Sequence, residues 1–122
     1  MSNFVPMVAT IMLLATSFCL AQVPGATSPK LECDIGPIPK TFGNSQWRVY
    51  SCSDGRSVVV VSAPGSPAVP FYFMFQATAS GHHLIGEGTG KKAATDEAYG
   101  ELKGLSEQGI EDLIRQTKSV KR

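Results

Sequence analysis

The sequence has little of what usually announces a function. Its 122 residues carry 11 Lys and Arg against 10 Asp and Glu, a formal balance of +1. With no excess of one sign, nothing draws the chain strongly to a membrane surface or a nucleic-acid backbone. There are three cysteines and two histidines. No C-x-x-C pair occurs, and His82 and His83 lie far along the chain from Cys33 and Cys52, which leaves no metal or redox motif. Adjacent histidines on a strand would point to opposite faces, so a loop-tip pair is the expected reading for them. Ser66, within Pro64-Gly65-Ser66-Pro67, does not form a G-x-S-x-G elbow. No two acids are spaced as a catalytic pair, and Glu101 and Glu107 read as surface charges. The expectation is a non-enzymatic chain with no metal and no cofactor, although triads assembled across a fold leave no local trace. No apolar run reaches the roughly 20 residues of a membrane span, and no internal repeat is present.

What is there begins at the amino terminus. No charged side chain precedes Lys30, and the apolar run from Val8 to Leu20 falls within the roughly 7–15 residues of a secretory core segment. Cys19-Leu20-Ala21 places small residues three and one before a cut ahead of Gln22. Residues 1–21 are therefore expected to be a signal peptide, although its leading segment lacks the usual Lys or Arg; an uncleaved anchor is the alternative. Cleavage would leave no stable membrane span and place about 100 residues, one domain's worth, in an oxidising periplasmic or extracellular compartment. It would also remove Cys19 and leave an even pair, Cys33 and Cys52, expected to form a disulfide. Closing a loop of about 20 residues stabilises by about 3 kcal/mol in the chain-entropy model.

Residues 22–30 (QVPGATSPK) read as a flexible leader, and residues 31–122 as a single α+β domain. Residues 31–35 suggest a short edge strand carrying Cys33, ended by Pro37 and Pro39. Residues 46–53 (QWRVYSCS) alternate as a strand, with Trp47 and Val49 on one face. Asp54-Gly55 suggests a tight hairpin turn pairing them with residues 56–63. Val58 to Val61 are apolar on both faces, as in a central strand covered on each side. Residues 64–70 (PGSPAVP) form a loop. Residues 71–78 (FYFMFQAT) place Phe71, Phe73 and Phe75 on one face, expected to pack against helices, and residues 83–88 give a further strand. From Lys91 the period becomes helical. Ala94, Ala98, Leu102 and Leu105 form one stripe, and Ile110, Leu113, Ile114 and Thr117 another about 100° away. That offset predicts one kinked helix or two, broken within residues 104–109, with Ser106 capping the second piece. The expected architecture is a four- or five-strand antiparallel meander with these C-terminal helices on one face.

The strongest local signal is Gly86-Glu87-Gly88-Thr89-Gly90-Lys91-Lys92 at the start of a helix. Glycine backbone N–H groups, a helix N-terminus and two lysines make Gly86, Gly88, Thr89, Gly90, Lys91 and Lys92 a candidate anion-binding set. The spacing matches neither a Walker A loop nor a dinucleotide fingerprint. The alternative is a glycine-rich strand-to-helix turn with solvated lysines. Residues 71–105 resemble the closing half of a double-stranded RNA-binding domain, in which an FxVxV-type strand leads to G-x-G-x-S-K-K-x-A-K-x-x-A-A and a helix. Ala94 and Ala98 fall on the helix alanines, while Gly90, Thr95 and Tyr99 depart from the pattern. No N-terminal helix or G-P-x-H loop is evident. That resemblance implies nucleic-acid binding, which Asp96, Glu97 and Glu101 oppose by repelling phosphate. Residues 50–61 are similar to the opening hairpin of periplasmic inhibitors of C-type lysozyme, on the Y-x-C-x-D-G run Tyr50 to Gly55. That likeness implies inhibition of a secreted hydrolase. Leu84 stands where that family's loop has a tyrosine.

The sequence thus favours a small exported, disulfide-stapled binding or accessory domain. Its partner is expected to be a protein of the envelope or extracellular space, contacted through the Gly86–Lys92 turn and the exposed sheet face. Polyanion or nucleic-acid binding through Lys91 and Lys92 is the alternative from a different class. Cleavage predicts that exported protein begins at Gln22. Intact-mass measurement checks this, and a retained Met1 would favour the uncleaved anchor.

Overall fold

Residues 35–88 fold as five consecutive strands, and the rest of the carboxyl half as two helices. A computed structural model describes residues 30–120; the expected signal peptide, nearly all of the leader and the last two residues lie outside the described residues. The strands are β1 Ile35–Phe42, β2 Ser45–Ser51, β3 Val58–Ser62, β4 Phe71–Thr78 and β5 Gly81–Gly88, followed by α1 Lys92–Leu102 and α2 Glu107–Lys118. The sheet order is β1-β2-β3-β4-β5, and every neighbouring pair is antiparallel. This is the expected α+β meander with helices on one face. No helix among the described residues is long and apolar enough to cross a membrane.

Alternation along the strands decides which face is covered. Trp47 and Val49 of β2, Val58 and Val60 of β3, and Phe73 and Phe75 of β4 all point to the helical side and are buried. Ala98 and Leu102 of α1, with Ile110, Leu113 and Ile114 of α2, close the core from above. Each large apolar side chain so buried contributes about 1.5–3 kcal/mol. Trp47 is fully buried, and its ring lies 5.4 Å from that of Phe73. Its indole Nε1 donates to the Phe42 carbonyl at 3.1 Å. One buried polar pair joins α2 to the sheet: the hydroxyls of Ser51 and Thr117 lie 2.6 Å apart, and Thr117 donates onward to the Ile114 carbonyl.

The two helical stripes are two helices. Residues 103–106 separate them, and the Ser106 hydroxyl accepts from the Gly109 N–H at 3.0 Å, which makes it the N-cap of α2. Helix α1 is located by its fit against the β1–β2 turn. A Cβ on Gly43 would sit 2.4 Å from the Ala98 nitrogen, so only glycine allows the approach. The Gly43 N–H then donates to both Glu101 carboxylate oxygens, at 2.9 and 3.1 Å.

Three expectations need correction. Strand β1 runs through Pro37 and Pro39 instead of ending before them. It is an edge strand, paired on one side only, and a register shift between Ile35 and Ile38 accommodates the first proline. The tight two-residue hairpin turn lies at Gly43-Asn44, where both φ angles are positive (59° and 63°). Asp54-Gly55 sits instead in the longer connection between Ser51 and Val58, which are register partners. Strand β3 is central, but only its helical face is covered; Val59 and Val61 are half-buried on the other.

Cys33 and Cys52 are bonded, as expected. The bond ties the segment entering β1 to the end of β2, beside a reciprocal pair in which Ser53 N–H donates to the Glu32 carbonyl and Glu32 N–H to the Ser53 hydroxyl. Replacing both cysteines by alanine should lower the unfolding free energy by about 3 kcal/mol, read from the urea midpoint at unchanged slope. An unchanged midpoint would show that the core alone fixes this segment.

Candidate functional site

The six residues of the candidate anion set lie together at the end of β5 and the start of α1, but the backbone donors of Thr89, Gly90 and Lys91 face inward. The N–H groups of Thr89 and Gly90 both donate to the Pro70 carbonyl, at 2.9 and 3.0 Å, and that of Lys91 donates to Pro67 at 3.0 Å. Gly90 is needed because a Cβ there would lie 1.8 Å from the Ala68 carbonyl oxygen. The glycine spacing thus has a packing cause: the turn is pressed against the loop between β3 and β4. Lys91 and Lys92 remain exposed, and Lys92 Nζ pairs with Asp96 at 2.8 Å across one helical turn. An anion at this turn would meet the lysine side chains and the first N–H groups of α1, not the N–H groups of Thr89, Gly90 and Lys91.

A second cluster was not evident in the sequence. His82 and His83 both lie within β5 rather than at a loop tip, and alternation separates them. The His82 side chain turns to the helical side, where it is only 6% exposed. Its Nε2 lies 2.7 Å from the Arg56 carbonyl and its Nδ1 2.7 Å from Glu107 Oε1. Both ring nitrogens are thus engaged, one by a carbonyl and one by a carboxylate. Arg56 in turn donates from Nη2 to the Thr78 and Gly81 carbonyls, at 3.1 and 3.3 Å. Glu107 is therefore a tether between α2 and the sheet rather than a free surface charge, as Glu101 is for α1. The Ser57 hydroxyl donates to Asp54 Oδ2 at 2.6 Å and accepts from the Ala77 N–H at 3.1 Å.

Asp54 organises the connection between β2 and β3. Its Oδ1 accepts from the Arg56 and Ser57 N–H groups, at 2.9 and 2.7 Å. Burial pushes the carboxyl up, but the Ser57 hydroxyl and N–H, the Arg56 N–H and the Arg56 charge together outweigh it. The group is held below its ordinary 3.8. No group of three His, Cys, Asp or Glu among the described residues is placed to hold a metal ion.

Among the described residues, no element covers the face of the sheet opposite the helices. Register aligns its side chains in two rows across β2 to β5. One row runs Arg48, Val61, Tyr72, Glu87, and the next runs Tyr50, Val59, Met74, Ile85. Six of these eight are apolar or aromatic, and Tyr72 is 39% exposed. At one end a groove of about 550 Å³ opens between Val61, Tyr72 and Glu87 on the sheet and Val69 and Pro70 on the adjoining loop. Val69 is 42% exposed. Arg48 and Glu87 make no ion pair among the described residues.

Comparison with known proteins finds no match. Neither family models, nor curated proteins, nor solved structures resemble the chain. Function is therefore read from these surfaces alone.

The Asp54 cluster carries a pH signature. A carboxylate whose folded value is depressed contributes stability above its ordinary 3.8, and loses that contribution as pH falls through the lower folded value. Asp54→Asn should accordingly lower urea stability near neutral pH, with the gap to wild type closing as the solution is acidified below 3.8. A gap that stays constant down to pH about 2 would assign the loss to altered hydrogen-bond geometry instead of charge.

Proposed function

We propose that this chain is a small exported, disulfide-stapled domain that works by binding and not by catalysis. It presents the open face of its sheet to a protein in the periplasm or extracellular space. The observation that carries this reading is the pair of rows from β2 to β5. One side of the sheet is closed by both helices, while on the other no element among the described residues covers Tyr50, Val59, Val61, Tyr72, Met74 and Ile85, of which Tyr72 is exposed and the rest half-buried. A contiguous apolar surface of this kind, with a groove at its end, is what recognition surfaces look like in small domains.

The disulfide supports an oxidising compartment, where such bonds persist. One feature favours binding over chemistry: His82 is held at both ring nitrogens, by the Arg56 carbonyl and the Glu107 carboxylate. A polyanion reading through Lys91 and Lys92 draws support from the two exposed lysines, while the N–H groups of Thr89, Gly90 and Lys91 are taken by loop carbonyls. A secreted hydrolase is one partner class, suggested by the likeness of residues 50–61 to lysozyme inhibitors; Tyr50, Val59 and Val61 of that hairpin lie on the open face.

Site-specific photocrosslinking in an exporting host tests the reading. A benzophenone side chain at Tyr72, on the open face, should give protein adducts, while one at Gln108, on the outer side of α2, should give none. Adducts from position 108 with none from 72 would place recognition on the helical side and overturn the proposal.

A further inference from the structure

The two rows of the open face have an order that makes the face complementary to itself. Read across β2 to β5, the first row is cation, apolar, aromatic, anion: Arg48, Val61, Tyr72, Glu87. Strands in a sheet lie about 4.8 Å apart, so the two charges stand about 14 Å from each other with Val61 and Tyr72 between them. Consider a second copy laid face to face, related by a two-fold axis that runs parallel to the strands between β3 and β4. That rotation carries β2 over β5 and β3 over β4, and it leaves positions along the strands unchanged. Arg48 of each copy then faces Glu87 of the other, Val61 faces Tyr72, and Val59 faces Met74.

We propose that the partner of the open face is a second copy of this chain, packed sheet to sheet about this axis. The proposal rests on the reading that the open face is the binding surface, and it names the occupant. Three observations favour a second copy over an unrelated protein. The charges at the two ends of one row are opposite in sign and equidistant from the axis, as an isologous interface requires. Neither is paired within the chain among the described residues, so each remains available to the other copy. The exposed Val69 lies in the loop joining β3 to β4, beside the axis, so two copies bring their grooves together at one end.

The size of the face sets the strength. Four strands about 4.8 Å apart, each contributing about five residues of about 3.3 Å, give a footprint on the order of 300 Å². That is small against the roughly 800 Å² per partner of a standard interface, so the dimer is reversible and concentration-dependent. Aligned sheet packing of this type places the two layers about 10 Å apart.

Charge reversal provides a test that only a two-fold pair passes. Sedimentation of the purified, oxidised protein across a concentration series should show a monomer–dimer equilibrium. Arg48→Glu sets a carboxylate against Glu87, and Glu87→Arg sets a guanidinium against Arg48; each variant alone should weaken the dimer at least about tenfold. Mixing the two variants should restore it. In the mixed pair the two substituted side chains, one acidic and one basic, meet at one end, and native Arg48 meets native Glu87 at the other. The double variant, Arg48→Glu with Glu87→Arg, should also dimerise as wild type does. Tyr72→Lys should abolish the dimer, with circular dichroism confirming the fold of every variant.

A protein that remains monomeric up to about 1 mM overturns the proposal, because no weaker equilibrium matters for a specific pair. So does a dimer whose strength the single reversals leave unchanged, or one that mixing does not restore. The two readings fail separately. A strict monomer whose position-72 crosslinks identify a different protein, or residues 1–29 of this chain, sinks the second copy but leaves the open face as a binding surface. Absence of any adduct from position 72 removes both.

Discussion

The helical side of the sheet is arranged around Trp47. Its ring is fully buried on β2, packs 5.4 Å from Phe73 on β4, and donates its one N–H to the Phe42 carbonyl at the end of β1. Phe73 extends the cluster to Phe71, at 4.9 Å, and to Tyr99 of α1, at 6.2 Å. One side chain thus contacts or reaches through its neighbour every layer of the domain. The indole N–H matters as much as the ring, because a buried donor without a partner would cost about 1–3 kcal/mol. Tying that donor to Phe42 fixes the turn against which α1 then docks.

Helix α1 is itself a short element held at two points. Near its middle, Gly43 allows the β1–β2 turn to approach the helix backbone, and Glu101 accepts the N–H that approach leaves unpaired. At its start, Gly90 allows the strand-to-helix turn to lie on the Ala68 carbonyl. The glycine-rich segment that looks like a ligand cradle in the sequence is therefore a joint, formed where chain meets chain. Helix α2 is attached by different means: an apolar stripe, the Ser51–Thr117 hydroxyl pair, and the His82–Glu107 contact. The two helices can consequently be perturbed separately.

Elements with a strong internal period were legible in the sequence. Strand β4 follows its Phe-x-Phe-x-Phe alternation residue for residue, and the angular offset between two apolar stripes located the break that Ser106 caps. What escaped was set by partners distant in the chain or by context. Pro37 and Pro39 look like breakers until β1 is known to be an edge. Gly43-Asn44 carried a hairpin signal as good as that of Asp54-Gly55, but the first sits between strands whose ends pair directly. At the second, the Asp54 carboxylate binds its own neighbours and widens the connection. His82 with Glu107 and Gly43 with Glu101 are separated by 25 and 58 residues, and no local pattern marks either pair. The open face was legible in part. Alternation named its residues, but only the strand register aligned Arg48 with Glu87 across it.

The two edges of this sheet are unlike. At β1, prolines at positions 37 and 39 remove backbone donors and a register shift interrupts the ladder; at β5, residues Gly81–Gly88 contain no proline and the ladder is regular from end to end. A sheet grows into a fibril only when both edges accept a strand, since each added chain must offer a fresh edge to the next. Here one edge lacks the donors of two of its eight residues. Prolines in the first strand disfavour strand addition at that edge, so the two edges that the described residues leave unpaired are not equivalent as templates.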